Sequence, residues 1–117
     1  MHSRQINGKT VAELDAAGPV VNSEQGALDL MGEAYDADFD WLAIPKARLA
    51  PEFFHLRTGL AGAALQKFTN YQINVVILGD ISNEIAASNA LRDFVYECNK
   101  RGNVRFAAGY NELAALI

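Results

Sequence analysis

A short run near the middle of the chain holds the residue types best suited to receiving or binding a phosphate. Arg57, Thr58 and Gly59 stand directly before an apolar stretch with helical spacing. A hydroxyl at the start of a helix lies beside unpaired backbone N–H groups that can hold a phosphate, and an arginine can add a charge-assisted hydrogen bond. The same threonine could be an ordinary N-cap, which is the commoner role. The sequence therefore offers Thr58 as a possible phosphoacceptor or as a cap.

Two glycines interrupt the helix that is predicted to follow. Gly59 and Gly62 each cost about 0.5–1 kcal/mol relative to alanine in such a position. They could admit a phosphate or a partner close to the backbone, or they could let the helix pack closely on a neighbouring element, and we expect close packing. The spacing has neither a following Lys-Ser/Thr nor a full Gly-x-Gly-x-x-Gly, so it does not predict a nucleotide site.

Charged residues at the predicted strand ends form a second candidate site. Lys46 follows one strand and Asp80 ends the next, and α/β proteins bind ligands at such ends. With Arg57 they could hold an anionic ligand, and His55 could act as an acid or base. Asp80 could also contact a metal, a ligand hydroxyl or a partner's arginine, or cap its own loop. Because no second carboxylate lies at ligand spacing, we predict no metal site.

The third long helix carries two further candidates near its end. Glu97 and Asn99 lie off the apolar stripe that includes Cys98. They could contact a ligand or a partner, or form a solvated helix end. The cysteine is expected to be inert core.

Catalytic constellations are not visible in the sequence. There is no Ser-His-Asp spacing, no Cys/His metal set and no carboxylate pair at a recognisable distance, and a single histidine without a base partner is a weak constellation. The question of catalysis stays open, and we lean toward a protein that is not an enzyme and has no cofactor.

The elements that position these residues follow from apolar periodicity and turn signals. Asn7-Gly8 suits a type I′ turn and predicts a hairpin over residues 3–14. After the break at Gly18-Pro19, residues 20–117 alternate helical and extended patterns and form an α/β core. The predicted order β-β-α-β-α-β-α-β-α describes one domain over residues 1–117, a mixed sheet backed by helices.

Local signals set the expected element boundaries. Ser23 should cap the first helix, Thr58 the second, and Ser88 or Asn89 the third, with residues 81–88 as a loop. Gly102 should end the third helix in a left-handed conformation. The remaining strands are predicted at Phe39–Ile44, Ile73–Leu78 and Val104–Ala107.

Composition excludes several classes of protein. The 117 residues are 50% hydrophobic and carry a net charge of −4. With a pI near 5.0, the chain lacks the basic excess that binding to nucleic acid or to an anionic membrane requires. No aliphatic run is long enough to span a bilayer, no apolar region of a signal peptide is visible, and a single cysteine suits a reducing cytoplasm.

The charges are also unevenly distributed along the chain. Five acids and no base lie from Asp29 to Asp40, whereas Lys46, Arg48 and Arg57 follow close behind. These runs are either solvated faces or complementary surfaces, the acidic one suited to a basic partner.

Longer motifs resemble a known family. They are Leu28-Asp29-Leu30, Ile44-Pro45-Lys46, Phe53-Phe54-x-Leu56-Arg57-Thr58-Gly59-Leu60-Ala61-Gly62, Leu65-Gln66-Lys67-Phe68-x-Asn70-Tyr71, the strand end at Gly79-Asp80, and Phe94-x-Tyr96-Glu97-x-Asn99-Lys100. Over most of the chain these motifs resemble a bacterial family catalogued as domain of unknown function 4180. The resemblance implies no activity.

A second resemblance is architectural. The element order is similar to that of STAS domains, the anti-sigma-factor-antagonist and sulfate-transporter module. In those domains an Asp-Ser-Ser-Gly-Leu segment opens a helix, and its second serine is phosphorylated by a partner kinase. Leu56–Leu60 stands in the equivalent place, so the resemblance implies that Thr58 is the phosphoacceptor. Two departures are Leu56 in place of the acidic residue and a longer segment over residues 45–57.

These observations lead to one functional expectation and two alternatives. We expect a cytoplasmic regulatory or interaction module that binds a protein partner at Arg57–Gly62 and Gly79–Ser82 and is switched at Thr58. One alternative is a small anionic-ligand-binding domain or minor enzyme that uses the same sheet edge. The other is a homodimer whose interface contains exposed aromatic residues, namely Trp41, Phe53 and Phe54.

Overall fold

A computed structural model describes all residues, 1–117, as a mixed sheet with helices on both faces. The strands are β1 (His2–Ile6), β2 (Lys9–Glu13), β3 (Trp41–Pro45), β4 (Val75–Leu78) and β5 (Val104–Ala107). The helices are α1 (Glu24–Glu33), α2 (Leu60–Asn70), α3 (Ser82–Ala87), α4 (Asn89–Lys100) and α5 (Tyr110–Ala114). Three short 3-10 turns, at Lys46–Arg48, Pro51–Phe54 and Leu56–Thr58, connect β3 to α2.

The strands lie in the sheet in the order in which they occur in the chain. β1 pairs with β2 antiparallel, and β2, β3, β4 and β5 run parallel. The turn between the first two strands places Asn7 at φ 54° and Gly8 at φ 78°, as a type I′ turn requires. The predicted hairpin and mixed α/β sheet are confirmed.

The two faces of the sheet are covered by different elements. Alternate strand residues point to opposite faces, so Leu42 and Ile44 pack in the larger apolar cluster under α1, α2 and α4. Trp41 and Ala43 pack in a smaller cluster with Leu113 of α5. Because the parallel strands are covered on both faces, every residue of β3 is buried.

Helix ends follow the local signals in most places. The Ser23 hydroxyl accepts from Gly26 N at 3.4 Å, and the Ser88 hydroxyl accepts from Leu91 N at 3.1 Å. Gly102 has φ 92° after the end of α4. These three predictions are confirmed.

The segment after β4 differs from the prediction. Residues 81–88 were expected to form a loop, but α3 occupies Ser82–Ala87. The Asp80 carboxylate accepts from Ser82 N at 2.9 Å, and Ile81 is buried while Ile85 packs on the core. The Asx turn precedes this short helix and the two isoleucines attach it to the core, whereas six residues are too few for a clear helical pattern in the sequence.

The aromatic residues expected at a dimer interface are buried. Phe53 and Phe54 pack in the larger cluster, with ring centroids 5.3 Å apart in an edge-to-face arrangement. Trp41 lies under α5 in the smaller cluster, and the Arg105 guanidinium is 5.2 Å from its ring. The expectation that these three rings are exposed is wrong, because the 3-10 turns fold back onto the helical face and α5 covers the other.

One buried charge was not anticipated. The Arg48 side chain is 0% exposed and donates to the backbone oxygens of Asp15 and Pro19, each at 3.0 Å, and to both carboxylate oxygens of Glu33. A Cβ at Gly18 would lie 2.7 Å from Arg48 Cζ. The loop before α1 therefore wraps closely around this guanidinium, and glycine is required at position 18.

Candidate functional site

The candidate residues lie at the carboxyl ends of β3 and β4, which we call the carboxyl edge. Pro45 is paired with Leu78 in the sheet, so Lys46 and Gly79 leave their strands side by side. A Cβ on Gly79 would lie 2.8 Å from the Cβ of Lys46, and Gly79 has φ 148°. Glycine at position 79 therefore allows the two chain segments to approach closely. This approach places Lys46 beside the segment that follows β4.

Lys46 is engaged by neighbours at this edge. Its ammonium donates to Asp80 O at 2.8 Å and forms an ion pair with Glu84 Oε2 at 2.7 Å. The hydrogen bond from Lys46 lowers the pKa of the Glu84 carboxyl. The second oxygen of that carboxylate is buried and has no hydrogen-bond partner. Lys46 thus holds α3 against β3, and an incoming anion would have to compete with Glu84 for it.

Asp80 forms the Asx turn that the sequence left open as one of its roles. Its carboxylate accepts from Ser82 N, and this backbone hydrogen bond lowers the pKa of the Asp80 carboxyl. The residue is exposed. The carboxylate is therefore occupied in part by the start of α3.

Thr58 does not occupy the N-cap position of α2 that the sequence predicts for it. Gly59, with φ 77°, is the N-cap residue of α2, and Thr58 ends the preceding 3-10 turn. The Thr58 hydroxyl lies 2.9 Å from His55 O and 3.0 Å from Glu52 O, and it accepts from Leu60 N at 3.2 Å. The prediction of Thr58 as the N-cap is wrong by one residue, because the left-handed turn at Gly59 lets the hydroxyl bind the N–H two residues ahead.

The glycines at the start of α2 do not serve close packing. A Cβ at Gly59 or Gly62 would meet no heavy atom within 4 Å. Gly59 is required by its positive φ, whereas Gly62 is an exposed helical residue with open space around it. The expectation of close packing is wrong at both positions.

Arg57 and His55 border a groove of about 640 Å³ at the carboxyl edge. Both residues are exposed, and the Arg57 guanidinium has no ion-pair or hydrogen-bond partner within the chain. Asn83 and Glu84 of α3 form the opposite wall. The groove is therefore lined by polar groups of both signs, with one uncommitted cation.

Glu97 and Asn99 lie outside this groove. The Asn99 amide donates to Phe106 O at 3.0 Å and accepts from Phe106 N at 2.8 Å, which ties α4 to β5. Asn99 lines a separate cavity of about 140 Å³ that Asp80 also borders. Glu97 is exposed and pairs with Lys100 at 3.3 Å. Asn99 is therefore a structural bridge in this chain rather than an open contact.

The structure brings together part of the predicted site and adds one residue to it. Lys46 and Asp80 meet directly, and Glu84 links them to the groove beside Arg57. Glu84 was missed in the sequence because residues 81–88 were predicted as a loop. An acid in the first turn of a helix would have been the signal.

No group of three or more His, Cys, Asp or Glu side chains is arranged to hold a metal ion. None of the helices combines the length and apolarity needed to cross a membrane.

Burial raises the pKa of the Cys98 thiol, which favours the protonated form over the reactive thiolate.

Fold and site define a class: a single mixed α/β sheet with a polar groove at the carboxyl ends of its parallel strands. Comparison with family descriptions matches residues 6–117 to "Domain of unknown function (DUF4180)". The chain belongs to this family. No curated protein and no solved structure matches it significantly. The family membership expected from the motifs is confirmed, and the likeness to STAS domains stays a prediction.

Proposed function

We propose that this protein is an interaction module with a regulatory role and that it binds a protein partner at the groove beside Arg57. The observation that carries the proposal is the unpaired, exposed guanidinium on the rim of a groove of about 640 Å³. Arginine contributes strongly at protein interfaces because its planar group forms two parallel bonds to a carboxylate. A partner that presents an Asp or Glu side chain to Arg57 on the Leu56–Thr58 wall, with an uncharged surface against Glu84 in the facing wall, fits this groove.

Local geometry further supports a surface that binds. The rim is built on the turn before α2, and Thr58 ties that turn to Glu52 O and His55 O. On the other side, the Lys46–Glu84 ion pair fixes α3 to the strand end. Both walls are thus held in place before a partner arrives, which lowers the entropic cost of binding.

We also propose that phosphorylation of Thr58 switches this surface. A phosphate adds about −1.5 to −2 charges at neutral pH. Phosphorylation would remove the hydroxyl proton that lies between Glu52 O and His55 O and would place an anion next in sequence to Arg57. The added anion would then compete with the partner's carboxylate for that guanidinium.

Affinity capture with matched variants tests the partner-binding proposal. The full chain, Arg57→Ala and Arg101→Ala would be immobilised and exposed to an extract of the cells that produce the protein, and captured proteins would be quantified by mass spectrometry. Arg101 is a suitable control because it is also an exposed arginine without a side-chain partner, placed after α4 and away from the groove. We expect a partner whose recovery falls at least tenfold with Arg57→Ala and is unchanged with Arg101→Ala.

The switch is tested separately with the purified partner. Thr58→Asp introduces a negative charge, whereas Thr58→Val keeps the shape of the side chain and cannot be phosphorylated. Ser3→Asp adds the same charge at an exposed position on β1. Thr58→Asp should weaken partner binding relative to unphosphorylated wild type, as phosphorylation does. Thr58→Val should bind more tightly than phosphorylated wild type, and Ser3→Asp should leave the affinity unchanged. The interaction proposal fails if Arg57→Ala lowers the recovery of no captured protein. If it does lower recovery of a partner but Thr58→Asp and Thr58→Val bind that partner equally well, only the switch proposal fails.

A small anionic ligand is the second candidate for the same groove. Its volume lies in the range of ligand pockets, and Arg57 and His55 both line it. Glu84 in the facing wall opposes an anion, and Lys46 is already paired with it. Thermal-shift measurements with inorganic phosphate distinguish the two functions, because stabilisation that Arg57→Ala abolishes would favour the ligand.

A further inference from the structure

A second groove, which we call the apolar groove, opens at the edge of the sheet opposite the carboxyl edge. It lies where α1 and α2 end and where β3 and β4 begin, and its volume is about 500 Å³. Nine of its ten lining residues are hydrophobic; they include Leu28, Met31, Phe39 and Ile73. Volumes and linings of this kind are typical of small-molecule sites.

Two tyrosines give this groove an aromatic rim. Tyr35 follows α1 and is 85% exposed, and Tyr71 follows α2 and is 62% exposed. Neither hydroxyl has a hydrogen-bond partner in the chain. Exposed aromatic rings beside an apolar floor can bury apolar surface of a ligand and can attract a cation to their faces.

The unpaired charges next in sequence to the lining residues are acidic, whereas Lys67, one turn before Tyr71, is paired with Glu24 at 3.5 Å. Asp36 and Asp38 alternate along the chain with the lining residues Tyr35, Ala37 and Phe39. Both carboxylates are exposed and form no ion pair. No lysine or arginine lines the groove. The local field therefore favours a cationic occupant and disfavours an anionic one.

We propose that the apolar groove binds a small apolar molecule that carries a cationic group. The apolar body packs between the ends of α1 and α2, on Leu28, Met31 and Ile73. The cationic group lies at the rim, near the rings of Tyr35 and Tyr71 and the carboxylates of Asp36 and Asp38. This site is separate from the groove at Arg57, so it can be tested whether or not the proposed function holds.

The probes are two ligands with the same ring system and opposite charge, 1-naphthylmethylamine and 1-naphthoate. Met1 and Met31 are the only methionines, so labelling methionine methyl groups with carbon-13 gives two NMR signals. Met31 lines the groove, and Met1 reports on the terminus. We expect the amine to shift the Met31 signal, to leave Met1 unchanged, and to bind about tenfold more tightly than the carboxylate at low salt. That preference should shrink in 1 M NaCl.

Substitution of Gly32 separates filling of the groove from loss of the fold. Gly32 lines the groove within α1, and a Cβ there would meet no heavy atom within 4 Å. Gly32→Leu should abolish the Met31 shift while the thermal midpoint rises or stays the same, because leucine favours helix more than glycine does. Gly62→Leu is the matched control, an open helical glycine outside the groove, and it should leave binding unchanged.

Charge variants test the rim. Asp36→Asn with Asp38→Asn should remove the preference for the amine, whereas Glu52→Gln with Glu112→Gln, which changes the net charge equally at exposed acids elsewhere, should keep it. The proposal is overturned if neither probe shifts Met31, if the carboxylate binds as tightly as the amine, or if Gly32→Leu still binds. It is also overturned if sedimentation shows the groove covered by a second copy whose association Gly32→Leu disrupts.

Discussion

Removal of the buried Arg48 guanidinium should destabilise the protein more than any other single charge deletion. Arg48 joins the loop before α1, the end of α1 and the first 3-10 turn. Its side chain is fully buried, and its four hydrogen bonds reach Asp15, Pro19 and Glu33. Arg48→Ala deletes all four bonds and leaves a space where the guanidinium was.

The magnitude follows from what each partner loses. Two partly buried carbonyl oxygens lose their donors, at about 1–3 kcal/mol each where water does not replace them. The Glu33 side chain is 40% exposed, so it can be rehydrated and adds less. Removal of the buried guanidinium also returns its desolvation cost. The net effect should be about 3–5 kcal/mol, from the two carbonyl oxygens left without donors and the packing lost with a fully buried side chain. In a chain of this size that corresponds to a fall of about 12–20 °C in the midpoint of thermal unfolding.

Chemical unfolding followed by far-ultraviolet circular dichroism measures this change. Arg48→Met keeps part of the volume without the donors, so it should lie between wild type and Arg48→Ala. Arg92→Ala is the control, because Arg92 and Asp93 form an exposed pair with side chains 58% and 72% accessible. The control should change the free energy of unfolding by less than about 0.5 kcal/mol. A loss with Arg48→Ala no larger than that of the control would refute the account of Arg48 as the bond that holds this loop.

Three further predictions concern other parts of the fold. Burial and the neighbouring Glu13 raise the pKa of Tyr110 to about 12. The stability that this group contributes is therefore complete below about pH 10 and is lost as the pH rises toward 12. Tyr110→Phe should reduce this alkaline loss of stability, which urea unfolding at a series of pH values measures. Gly59→Ala should destabilise by about 1 kcal/mol because φ is 77°, whereas Gly62→Ala should stabilise by about 0.5–1 kcal/mol; equal effects in calorimetry would contradict this. Because the pKa of Asp80 is lowered, the stability advantage of wild type over Asp80→Asn should be complete above about pH 3.9 and decline as the pH falls further, through the lowered pKa. An advantage at pH 2 as large as that at pH 7 would contradict it.

Features that depend on neighbouring residues could be predicted from the sequence. Asn7 and Gly8 adopt positive φ values, and Ser23 and Ser88 cap helices, since each of these roles involves residues within three positions. The alternation of apolar segments gave the sheet and its helices for the same reason. Thr58 shows the limit of such rules, because the left-handed turn at the next residue moved the start of α2 by one position.

Features that depend on distant partners could not be predicted. In the sequence, Arg48 is one of three bases that follow the acidic run. Its hydrogen-bond partners lie 15 to 33 residues earlier in the chain, so its burial is not visible in the local pattern. Trp41 is buried because α5 returns to the second face of the sheet from the far end of the chain. Asn99 reads as an exposed helix residue, but a strand seven residues later uses its amide. In each case contacts between distant parts of the chain determine whether the side chain is available to bind a ligand or a partner.

That distinction explains the uneven charge pattern of the sequence. Of the acids between residues 29 and 40, Glu33 pairs with a buried arginine, Asp29 accepts from Gln25 at 3.0 Å, and Asp40 accepts from Thr10 N at 2.8 Å. Only Asp36 and Asp38 in this run have no partner.

The bases that follow divide in the same way. Lys46 and Arg48 are used within the fold, and Arg57 alone remains unpaired. After internal pairing, the acidic run leaves two anions beside the apolar groove, and the basic run leaves one cation beside the carboxyl edge. These edges lie at opposite ends of α2, which begins three residues after Arg57 and ends just before Tyr71. The two proposed sites therefore select ligands of opposite charge, so salt should weaken binding at both, whereas neutralising Arg57 should weaken binding only at the carboxyl edge.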